Sequence, residues 1–595
     1  MTANDTESGS VGTVRTQIIK IALPAGGFEL ECGESLQELH VAYETYGKLS
    51  SSNDNAVFIC HALSGNAHVA GRHEPADDSG PWWDSMVGPG KGIDTRYYFA
   101  ICANVIGGCK GTTGPASINP ATGEPYGSSF PPITIGDIVT AHKLLLKQLG
   151  IERLAAVVGG SMGGMQALEW SIRYPDMIDR CICVASAASL SAQALAFDII
   201  GRGAITSDTD WQGGDYYGTG RSPVHGLALA RQIGHITYLS QEMMAEKFGR
   251  EKNESGSRFQ VETYLEHQGD KFVKRFDANS YLLITSAIDQ YDLADRFAGL
   301  DNAFKNIRAK VLIVALTSDW LFPPEQSMDI ASALLRDGKH VSYCQLDLPH
   351  GHDAFLVDVN HLAEVIRAFL PWVSKVSARK AVNGELTTRQ PSANHTGRKE
   401  FDIIAQMVRS GSRVLDLGCA NGELLSLLAE KRRISGIGVD IDVGHVISVI
   451  DSGHDIFQGD IDQGLAMIPD SSYDYAVLSE TLQVVKRPRF VLREMLRVAG
   501  EGIVSFPNFG NWAHRLSLLL SGRMPKGGAL PFDWHETPNI HLFSLKDFVE
   551  LCMEDGIEIL DMVCIPDGLF SSALVHAGLR NLGAERVLVR IRRQT

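Results

Sequence analysis

The stretch of this sequence that most clearly indicates a reactive side chain is a serine flanked by glycines, Gly159-Gly160-Ser161-Met162-Gly163. It follows an apolar run at 154–158 and precedes a helix-like segment at 164–174. A Gly-x-Ser-x-Gly between a strand and a helix is a nucleophile elbow, a tight turn that lifts the serine hydroxyl above the sheet. Because the chain contains 59 glycines in 595 residues, the pattern alone is weak and needs partner residues further along.

The partners that a serine nucleophile requires are a base and a carboxylate that orients the base. An apolar run leads into a loop that carries Asp319, and a second run leads into a loop that carries His350 and His352. In folds that use a nucleophile elbow, the chain order is serine, then acid, then histidine. The sequence therefore predicts a catalytic triad of Ser161, Asp319 and one of the two histidines.

An oxyanion hole is the second requirement of acyl transfer, because the negative charge that develops on the acyl oxygen needs preorganised N–H donors. The backbone N–H of Met162 is the first predicted donor, since it directly follows the nucleophile. The second donor is predicted in the loop after the apolar run 56–60, where we favour the Leu63 N–H. His61, in the same loop, is expected to be structural.

The elements that position these residues alternate between apolar runs and helical patterns over residues 15–375, which predicts an α/β unit with a parallel sheet. This alternation is lost between about 188 and 300, where helical periodicity indicates an inserted cap. Residues 1–14 are expected to be a disordered N-terminus, and the polar segment 376–398 a linker. A second alternation over 399–595 predicts a separate α/β domain.

Composition excludes several classes of function. The net charge of -16 argues against nonspecific binding to nucleic acid or to an anionic membrane, since both need a basic surface. No apolar run approaches the ~20 residues that span a bilayer, and the N-terminus has no signal-peptide pattern. The ten cysteines include no C-x-x-C pair, which predicts reduced thiols, a cytoplasmic location and no metal site.

Five long strings make the first domain resemble the homoserine O-acyltransferases of methionine biosynthesis, which have an α/β-hydrolase fold with a helical cap. The strings are NVIGGCKGTTGP (104–115), GGSMGGMQ (159–166), ARQIGHITY (230–238), SDWLF (318–322) and GHDAFL (351–356). The resemblance covers essentially all of residues 15–375. It implies that the triad is Ser161, Asp319 and His352, which decides between the two histidines.

The resemblance also implies the substrates and their contacts. Arg231 would hold the homoserine carboxylate and Asp353 its ammonium group, pairings that suit an Arg fork and a carboxylate. Transfer from an acyl-CoA would follow ping-pong kinetics in a homodimer, with acetyl-CoA as co-substrate and no required cofactor. Family members that resemble the succinyl users tend to have an arginine two positions after the triad acid. Here that position is Leu321, so we favour the acetyl donor; succinyl transfer and a serine esterase are the alternatives.

The second domain contains a strand that runs into a turn of small residues in the form D-x-G-x-x-x-G, with Asp416, Gly418 and Gly422 at the defined positions. Such a turn lets a ligand approach the backbone closely. Asp440 ends the next strand, as a ribose-binding acid would, and Asp460 ends a third unit. These five residues are the predicted site for an adenosyl ligand.

Later strings make this domain resemble the Rossmann-like class I methyltransferases, most closely the MetW family of methionine biosynthesis. They are LSETLQ (478–483), IVSFPNFG (503–510) and TPNIHL (537–542). The resemblance implies S-adenosylmethionine as the ligand. Ala420 replaces a glycine that is common in methyltransferases, and no residue has an evident role in methyl transfer. We therefore favour a ligand-binding or regulatory domain, with an active methyltransferase as the alternative.

Overall fold

The chain divides into two compact units, residues 1–384 and 385–595. The structure, a computed structural model, describes residues 9–74, 80–370, 399–527, 530 and 532–594. The linker predicted at 376–398 lies outside the described residues. Each unit is described separately below.

The sheet of the first unit has the order β1-β4-β6-β5-β7-β8-β9-β10. Its strands from β6 onward run parallel, whereas β4 is antiparallel to both of its neighbours, and β2 and β3 form a separate pair. The strands are β1 (Gln17–Lys20), β2 (Phe28–Glu29), β3 (Ser35–Leu36), β4 (His40–Tyr46), β5 (Ala56–Cys60), β6 (Phe99–Ala103), β7 (Ala156–Gly160), β8 (Arg180–Val184), β9 (Lys310–Leu316) and β10 (Val341–Leu346).

The central strands β5 and β7 are buried along their whole length. Such strands read as continuous apolar runs because helices cover both faces of a parallel sheet. The α-helices of this unit outside the cap are Ile135–Gln148, Met162–Arg173, Pro324–Arg336, Ala354–Val357 and Asn360–Phe369, with 3-10 helices at Gly127–Ser129 and Gly351–Asp353.

The segment between β8 and β9 is helical, and it extends a few residues beyond the expected 188–300. Its α-helices are Ala192–Thr206, Val224–Tyr238, Gln241–Lys247, Gln260–Val273, Ala278–Asp289, Leu293–Phe297 and Leu300–Phe304, and its 3-10 helix is Thr209–Gly214. The side chains of Ser191, Ser240 and Asp277 accept backbone N–H groups at the starts of three of these helices. The cap has its own apolar cluster, which includes Phe272 and Tyr281.

Residues 9–14 differ from the expected disordered N-terminus. The Val14 N–H donates to the Arg72 carbonyl at 2.9 Å, and the Arg72 N–H donates to the Gly12 carbonyl at 3.0 Å. Two reciprocal main-chain bonds tie this short polar segment to the loop after β5, a long-range pairing that local composition does not reveal.

The sheet of the second unit has the order β13-β12-β11-β14-β15-β17-β16, in which β17 is antiparallel to both of its neighbours. Its strands are β11 (Arg413–Leu417), β12 (Ser435–Asp440), β13 (Asp455–Gln458), β14 (Tyr473–Ser479), β15 (Ala499–Pro507), β16 (Ile557–Pro566) and β17 (Ala584–Arg593). Its helices are Lys399–Met407, Glu423–Arg432, Val443–Asp451, Ile461–Gln463 (3-10), Pro488–Val498, Trp512–Ser521, Leu545–Glu554, Gly568–His576 and Arg580–Gly583. The strand order reverses between β11 and β14, where open α/β sheets bind their ligands.

Two further observations bear on the predictions from composition. Among the described residues, no helix combines the length and the apolarity that crossing a bilayer requires. All ten cysteines are free, and seven of them are buried.

Candidate active site

Ser161 stands at the sharp turn between β7 and the helix Met162–Arg173. Its backbone has φ 59° and ψ -127°, a conformation that costs a non-glycine residue energy and that clusters at functional sites. The turn is held from both sides, because the Ser161 N–H donates to the Val184 carbonyl (2.9 Å) and the Ser186 hydroxyl donates to the Ser161 carbonyl (2.7 Å). These bonds hold the backbone and leave the Ser161 hydroxyl free for chemistry.

The glycines around Ser161 are required by close packing. A Cβ added at Gly163 would lie 2.2 Å from the Cys60 carbonyl oxygen, and one at Gly159 would lie 2.2 Å from the Gly163 oxygen. Both obstacles are backbone atoms, which have little freedom to move away. The elbow helix therefore begins directly against the end of β5.

Asp319 and His352 meet at the same edge of the sheet, after β9 and β10. His352 Nδ1–H donates to Asp319 Oδ2 at 2.7 Å, while Asp319 Oδ1 accepts the N–H groups of Leu321 (3.0 Å) and Phe322 (2.9 Å). The Phe322 ring stacks on the imidazole with centroids 5.0 Å apart. The carboxylate thus fixes both the tautomer and the orientation of the histidine, as a triad acid does.

The electrostatic surroundings favour the protonated form of His352. Burial alone would lower its pKa, but the charge and hydrogen bond of Asp319 and the charge of Asp353 outweigh burial and raise the pKa. In the described part of the chain neither His352 Nε2 nor the Ser161 hydroxyl has a hydrogen-bond partner. Phe355 packs between His352 and the end of β7. Its ring centroid lies 5.8 Å from that of the His352 imidazole, and a Cβ added at Gly160 would lie 2.5 Å from the Phe355 ring.

His350, the other candidate base, is not the residue that bonds to Asp319. Its Nδ1 is buried without a hydrogen bond among the described residues. Gly351, between the two histidines, has φ 73°, and a Cβ there would lie 2.5 Å from the Ser240 nitrogen. This turn directs His352 toward the carboxylate.

The loop after β5 carries Leu63 and is closed by the Gly65 N–H, which donates to the Ala62 carbonyl at 2.9 Å. His61 has both ring nitrogens engaged: Nδ1–H donates to the Ala62 carbonyl (2.8 Å), and Nε2 accepts the Val105 N–H (3.2 Å). Burial lowers the pKa of His61 to about 4, so the ring is neutral and structural. Within the described residues, the Leu63 N–H has no hydrogen-bond acceptor.

Met162, the other predicted donor, begins the elbow helix, so its N–H points out of the helix without an intrahelical acceptor. Gln166 in the first turns of that helix donates to the His61 carbonyl at 3.0 Å. Because β5 and β7 are neighbours, with Cys60 paired to Gly159, the loop of Leu63 and the start of the helix share one corner of the sheet.

Arg231 and Asp353 are two charged residues without ion-pair partners among the described residues. Arg231 lies on the cap helix Val224–Tyr238 and is 9% exposed, with its guanidinium carbon 4.7 Å from the centroid of the Phe272 ring. Burial raises the pKa of Asp353, against the opposing charges of His352 and Arg231. Unpaired charges at a buried site are costly unless a ligand of opposite charge joins them.

A cavity of 270 Å³ adjoins Arg231. The described residues that line it include Ser64, Trp82, Arg231, Lys271, Phe272 and Arg275, and none of its lining residues is acidic. The sequence prediction missed Arg275 and Ser64, because a single cap arginine and a single loop serine have no spacing pattern that would single them out. Leu321, the predicted donor-specificity position, is neutral and half-buried next to the triad acid.

One group of potential metal ligands lies apart from the triad. Ligand atoms of Glu44, His68 and His73 are within 4.8 Å of one another. Glu44 already accepts four hydrogen bonds, from Thr16, Tyr46, His68 and His73, at 2.7–3.0 Å. Burial would raise the pKa of Glu44, but these bonds lower it to about 2. Both carboxylate oxygens are therefore saturated, and the group is a hydrogen-bonding node rather than an open metal site.

In the second unit, the five predicted adenosyl-site residues lie at the carboxyl ends of β11, β12 and β13. Gly418 and Gly422 have φ of 73° and 77°, the left-handed conformation that glycine adopts at little cost. Asp440 Oδ2 accepts the Ala420 N–H at 2.8 Å, and its Oδ1 accepts the Asp442 N–H at 3.0 Å. Oδ1 also bonds to His445 Nδ1 at 3.1 Å.

Asp416 and Asp460 behave differently from each other. Asp416 is buried, with an oxygen that has no hydrogen-bond partner among the described residues. Burial and the neighbouring charge of Asp440 raise the pKa of Asp416 to about 7. Asp460 caps a short turn, because its Oδ1 accepts the Asp462 N–H at 2.9 Å. The unpaired oxygen of Asp416 is available to a polar ligand, whereas Asp460 has a structural role as well.

Comparison with known families gives two matches along the chain. The family described as Methionine biosynthesis protein MetW matches residues 398–590, and the family described as alpha/beta hydrolase fold matches residues 55–359. One match therefore falls in each unit.

Comparison with characterised proteins gives relatives of two lengths. The "Bifunctional methionine biosynthesis protein MetXA/MetW" of Rhodopirellula baltica is 41% identical over 540 residues, which cover 88% of this chain and 85% of that protein. The "Homoserine O-acetyltransferase" of Methanococcus vannielii is 51% identical over 371 residues, which cover 61% of this chain and 74% of that protein.

Comparison with solved structures finds both transferases and hydrolases. The homoserine O-acetyltransferase of Bacillus anthracis matches with a TM-score of 0.56 and 29% identity, over 60% of this chain and 98% of that one. Esterase E22 matches equally well, with a TM-score of 0.56 and 30% identity, over 60% of this chain and all of the other. The fold alone therefore does not distinguish acyl transfer from hydrolysis.

Proposed function

The chain belongs to the family of bifunctional methionine-biosynthesis proteins that join a homoserine O-acetyltransferase to a MetW unit, and from this premise we propose how its residues perform the transfer. The enzyme transfers an acetyl group from acetyl-CoA to the hydroxyl of L-homoserine. The prediction of acetyl rather than succinyl transfer agrees with the names of its relatives.

The first half-reaction acetylates Ser161. His352 Nε2 takes the hydroxyl proton as the oxygen attacks the thioester carbonyl, and the N–H groups of Leu63 and Met162 stabilise the resulting oxyanion. The tetrahedral intermediate then expels the CoA thiolate, which receives the proton from His352. Asp319 stabilises the imidazolium throughout.

The second half-reaction uses the same groups in the opposite direction. His352 takes the proton of the homoserine hydroxyl, whose oxygen attacks the acetyl-serine carbonyl. Collapse of the second intermediate releases O-acetyl-L-homoserine, and Ser161 recovers its proton from His352. Water competes for the acetyl-enzyme, so a site that binds homoserine must exclude it.

Arg231 and Asp353 are the residues that we assign to homoserine, through its carboxylate and ammonium groups respectively. The observation that supports this assignment is their shared lack of an ion-pair partner among the described residues, although both are largely removed from solvent. A plain esterase has no need for such a pair. A zwitterionic amino acid would satisfy both charges at once.

The experiment that tests the function measures CoA release from acetyl-CoA with and without homoserine. We expect steady turnover only when homoserine is present, and a single equivalent of CoA without it. Equal steady turnover in both conditions would instead identify a hydrolase, the alternative that the similarity to esterase E22 keeps open.

For the second unit we propose reversible binding of S-adenosylmethionine as a regulatory ligand, with methyl transfer as the alternative. Gly418 and Gly422 would admit the ligand to the turn, Asp440 would accept a ribose hydroxyl, and Asp416 would offer its unpaired oxygen to the ligand. Calorimetric titration of the full chain should give a saturable heat that Asp440→Ala abolishes. No heat at millimolar ligand would contradict the proposal, and label transfer to an acceptor in cell extract would favour the alternative.

We propose that the protein acts as a cytoplasmic homodimer. Support comes from the free state of all ten cysteines and from exposed apolar side chains on two cap helices, Ile199, Ile200 and Leu229. Light scattering at micromolar concentration should give twice the mass of the chain, and a monomer would contradict this assembly.

A further inference from the structure

Two arginines of the cap reach the same residue of the loop after β5. Arg275 Nη1 donates to the Ser64 carbonyl oxygen at 3.2 Å, and Arg231 Nη1 donates to the Ser64 hydroxyl at 3.5 Å. Ser64 directly follows Leu63, whose N–H is a proposed oxyanion donor. The cap is therefore connected to the loop that would stabilise the transition state.

The two guanidinium groups lie in an unusual environment. Both stack against the Phe272 ring, with guanidinium carbons 4.7 Å (Arg231) and 5.3 Å (Arg275) from its centroid. Neither has an ion-pair partner among the described residues. Burial, together with the charge of Arg231, lowers the pKa of Arg275 to about 10. Among the described residues neither guanidinium is neutralised by an ion pair, and uncompensated charge is costly at a partly buried site.

The two arginines contact different atoms of Ser64, and this difference indicates different roles. Arg275 bonds to a main-chain carbonyl, a strong contact that depends on no side chain of the loop. Arg231 bonds to a hydroxyl at the outer limit of hydrogen-bond length, which leaves its donors available to a substrate carboxylate. Among these contacts, the Arg275 bond is the one suited to hold the loop in place permanently.

The other restraints on this loop act on the residues beside Leu63 and Ser64. The Gly65 N–H donates to the Ala62 carbonyl at 2.9 Å, and His61 accepts hydrogen bonds from the Val105 N–H (3.2 Å) and the Gln166 amide (3.0 Å). A donor aimed at a developing oxyanion contributes to catalysis only if it is fixed before the charge appears. The guanidinium of Arg275 supplies this restraint from a separate element, the turn after the cap helix Gln260–Val273.

We propose that Arg275 is a positioning residue for acyl transfer, which holds the Ser64 carbonyl and thereby orients the Leu63 N–H into the oxyanion hole. The inference rests on the proposed function of Ser161 and Leu63. It assigns different roles to the two arginines. Arg275 serves both half-reactions, including enzyme acetylation before homoserine binds. Arg231 serves only the half-reaction that contains homoserine.

The test uses the full chain and single-turnover CoA release from acetyl-CoA without homoserine, followed by steady-state kinetics with homoserine. We expect Arg275→Met to slow acetylation by roughly 10- to 100-fold, less than the loss of an oxyanion donor itself, and to leave the homoserine KM nearly unchanged. Arg231→Met should raise the homoserine KM. Arg258→Met is the matched control, because Arg258 lies in the same cap segment and pairs with Glu262 on the surface.

Chemical rescue separates positioning from a general loss of structure. For Arg275→Ala, added methylguanidinium should restore part of the acetylation rate, while the melting temperature stays near that of Arg258→Met. An unchanged acetylation rate with a raised homoserine KM would overturn the proposal and make Arg275 a second carboxylate ligand. A slowed rate with a lowered melting temperature and no rescue would also overturn it. If the wild type acetylates no serine, the proposed function fails, independently of Arg275.

Discussion

At the residue scale, the proposed mechanism makes both half-reactions depend on the protonation state of His352. The imidazole must be neutral to accept a proton, and its pKa is raised above the ordinary 6.5 because Asp319 and Asp353 outweigh burial. Activity is therefore complete at pH values above the raised pKa and is lost as the pH falls through it. We expect the acidic limb of kcat/KM for acetyl-CoA to have its midpoint above 6.5.

Asp319→Asn tests the source of that shift. Loss of the negative charge should move the midpoint to lower pH, and loss of the acceptor should lower kcat by about 10⁴ because the histidine is held in the wrong tautomer. Asp329→Asn, at an exposed position on the helix Pro324–Arg336, is the control and should behave as wild type. A midpoint that moves upward, or full activity in Asp319→Asn, would contradict the triad assignment.

Residue types and order predict Ser161, Asp319 and a histidine, since each follows an apolar run, and the structure joins Asp319 to His352. They did not distinguish His350 from His352, because both stand in the same loop; the decisive feature is the turn at Gly351, whose φ depends on packing against Ser240. The contact of Arg275 with Ser64 spans 211 positions. Such a contact between a cap and a loop is a property of the folded chain.

At the element scale, the nucleophile elbow depends on the approach of one helix to one strand end. Gly163→Ala would place a Cβ 2.2 Å from the Cys60 carbonyl oxygen, so either the helix or the strand must shift. Since the N–H of Met162 and the loop of Leu63 meet there, we expect a loss of acetylation rate of at least about 100-fold, comparable to loss of an oxyanion donor. Enzyme acetylation by acetyl-CoA, followed by mass spectrometry, measures it.

Gly203→Ala is the control for that substitution. Gly203 lies inside the cap helix Ala192–Thr206, and a Cβ there would meet nothing within 4 Å. The change should keep activity and stabilise the helix by roughly 0.5–1 kcal/mol, because alanine loses less backbone entropy than glycine. Equal, wild-type acetylation rates in the two variants would show that the close approach is unimportant.

The apolar runs located the strands well but misplaced some ends. The run 56–60 coincides with β5, and the run that leads into the loop of His350 and His352 forms β10, whereas the run 154–158 becomes β7 at Ala156–Gly160. The shift arises because Gly159 and Gly160 have no side chain to extend an apolar pattern, yet their backbones pair with β5 and β8. Sequence patterns follow side chains, and strand ends follow backbone pairing.

At the scale of the whole molecule, the two units match separate families. The first unit alone accounts for 98% of the solved homoserine O-acetyltransferase of Bacillus anthracis. We therefore expect a chain that ends after residue 384 to keep acetyl transfer, with kcat/KM within a few-fold of the full chain. A soluble, folded truncation without activity would show that the second unit completes the acetyltransferase.

The central claim is that Ser161 carries the acetyl group between the two substrates. The most direct measurement is intact and peptide mass spectrometry of the full chain after it is mixed with acetyl-CoA and quenched before homoserine is added. We predict one acetyl group per chain, located on the peptide that contains Ser161, released as O-acetyl-L-homoserine when homoserine is added and absent from Ser161→Ala. An adduct of equal yield in Ser161→Ala, or one on another residue that homoserine discharges, would contradict the account.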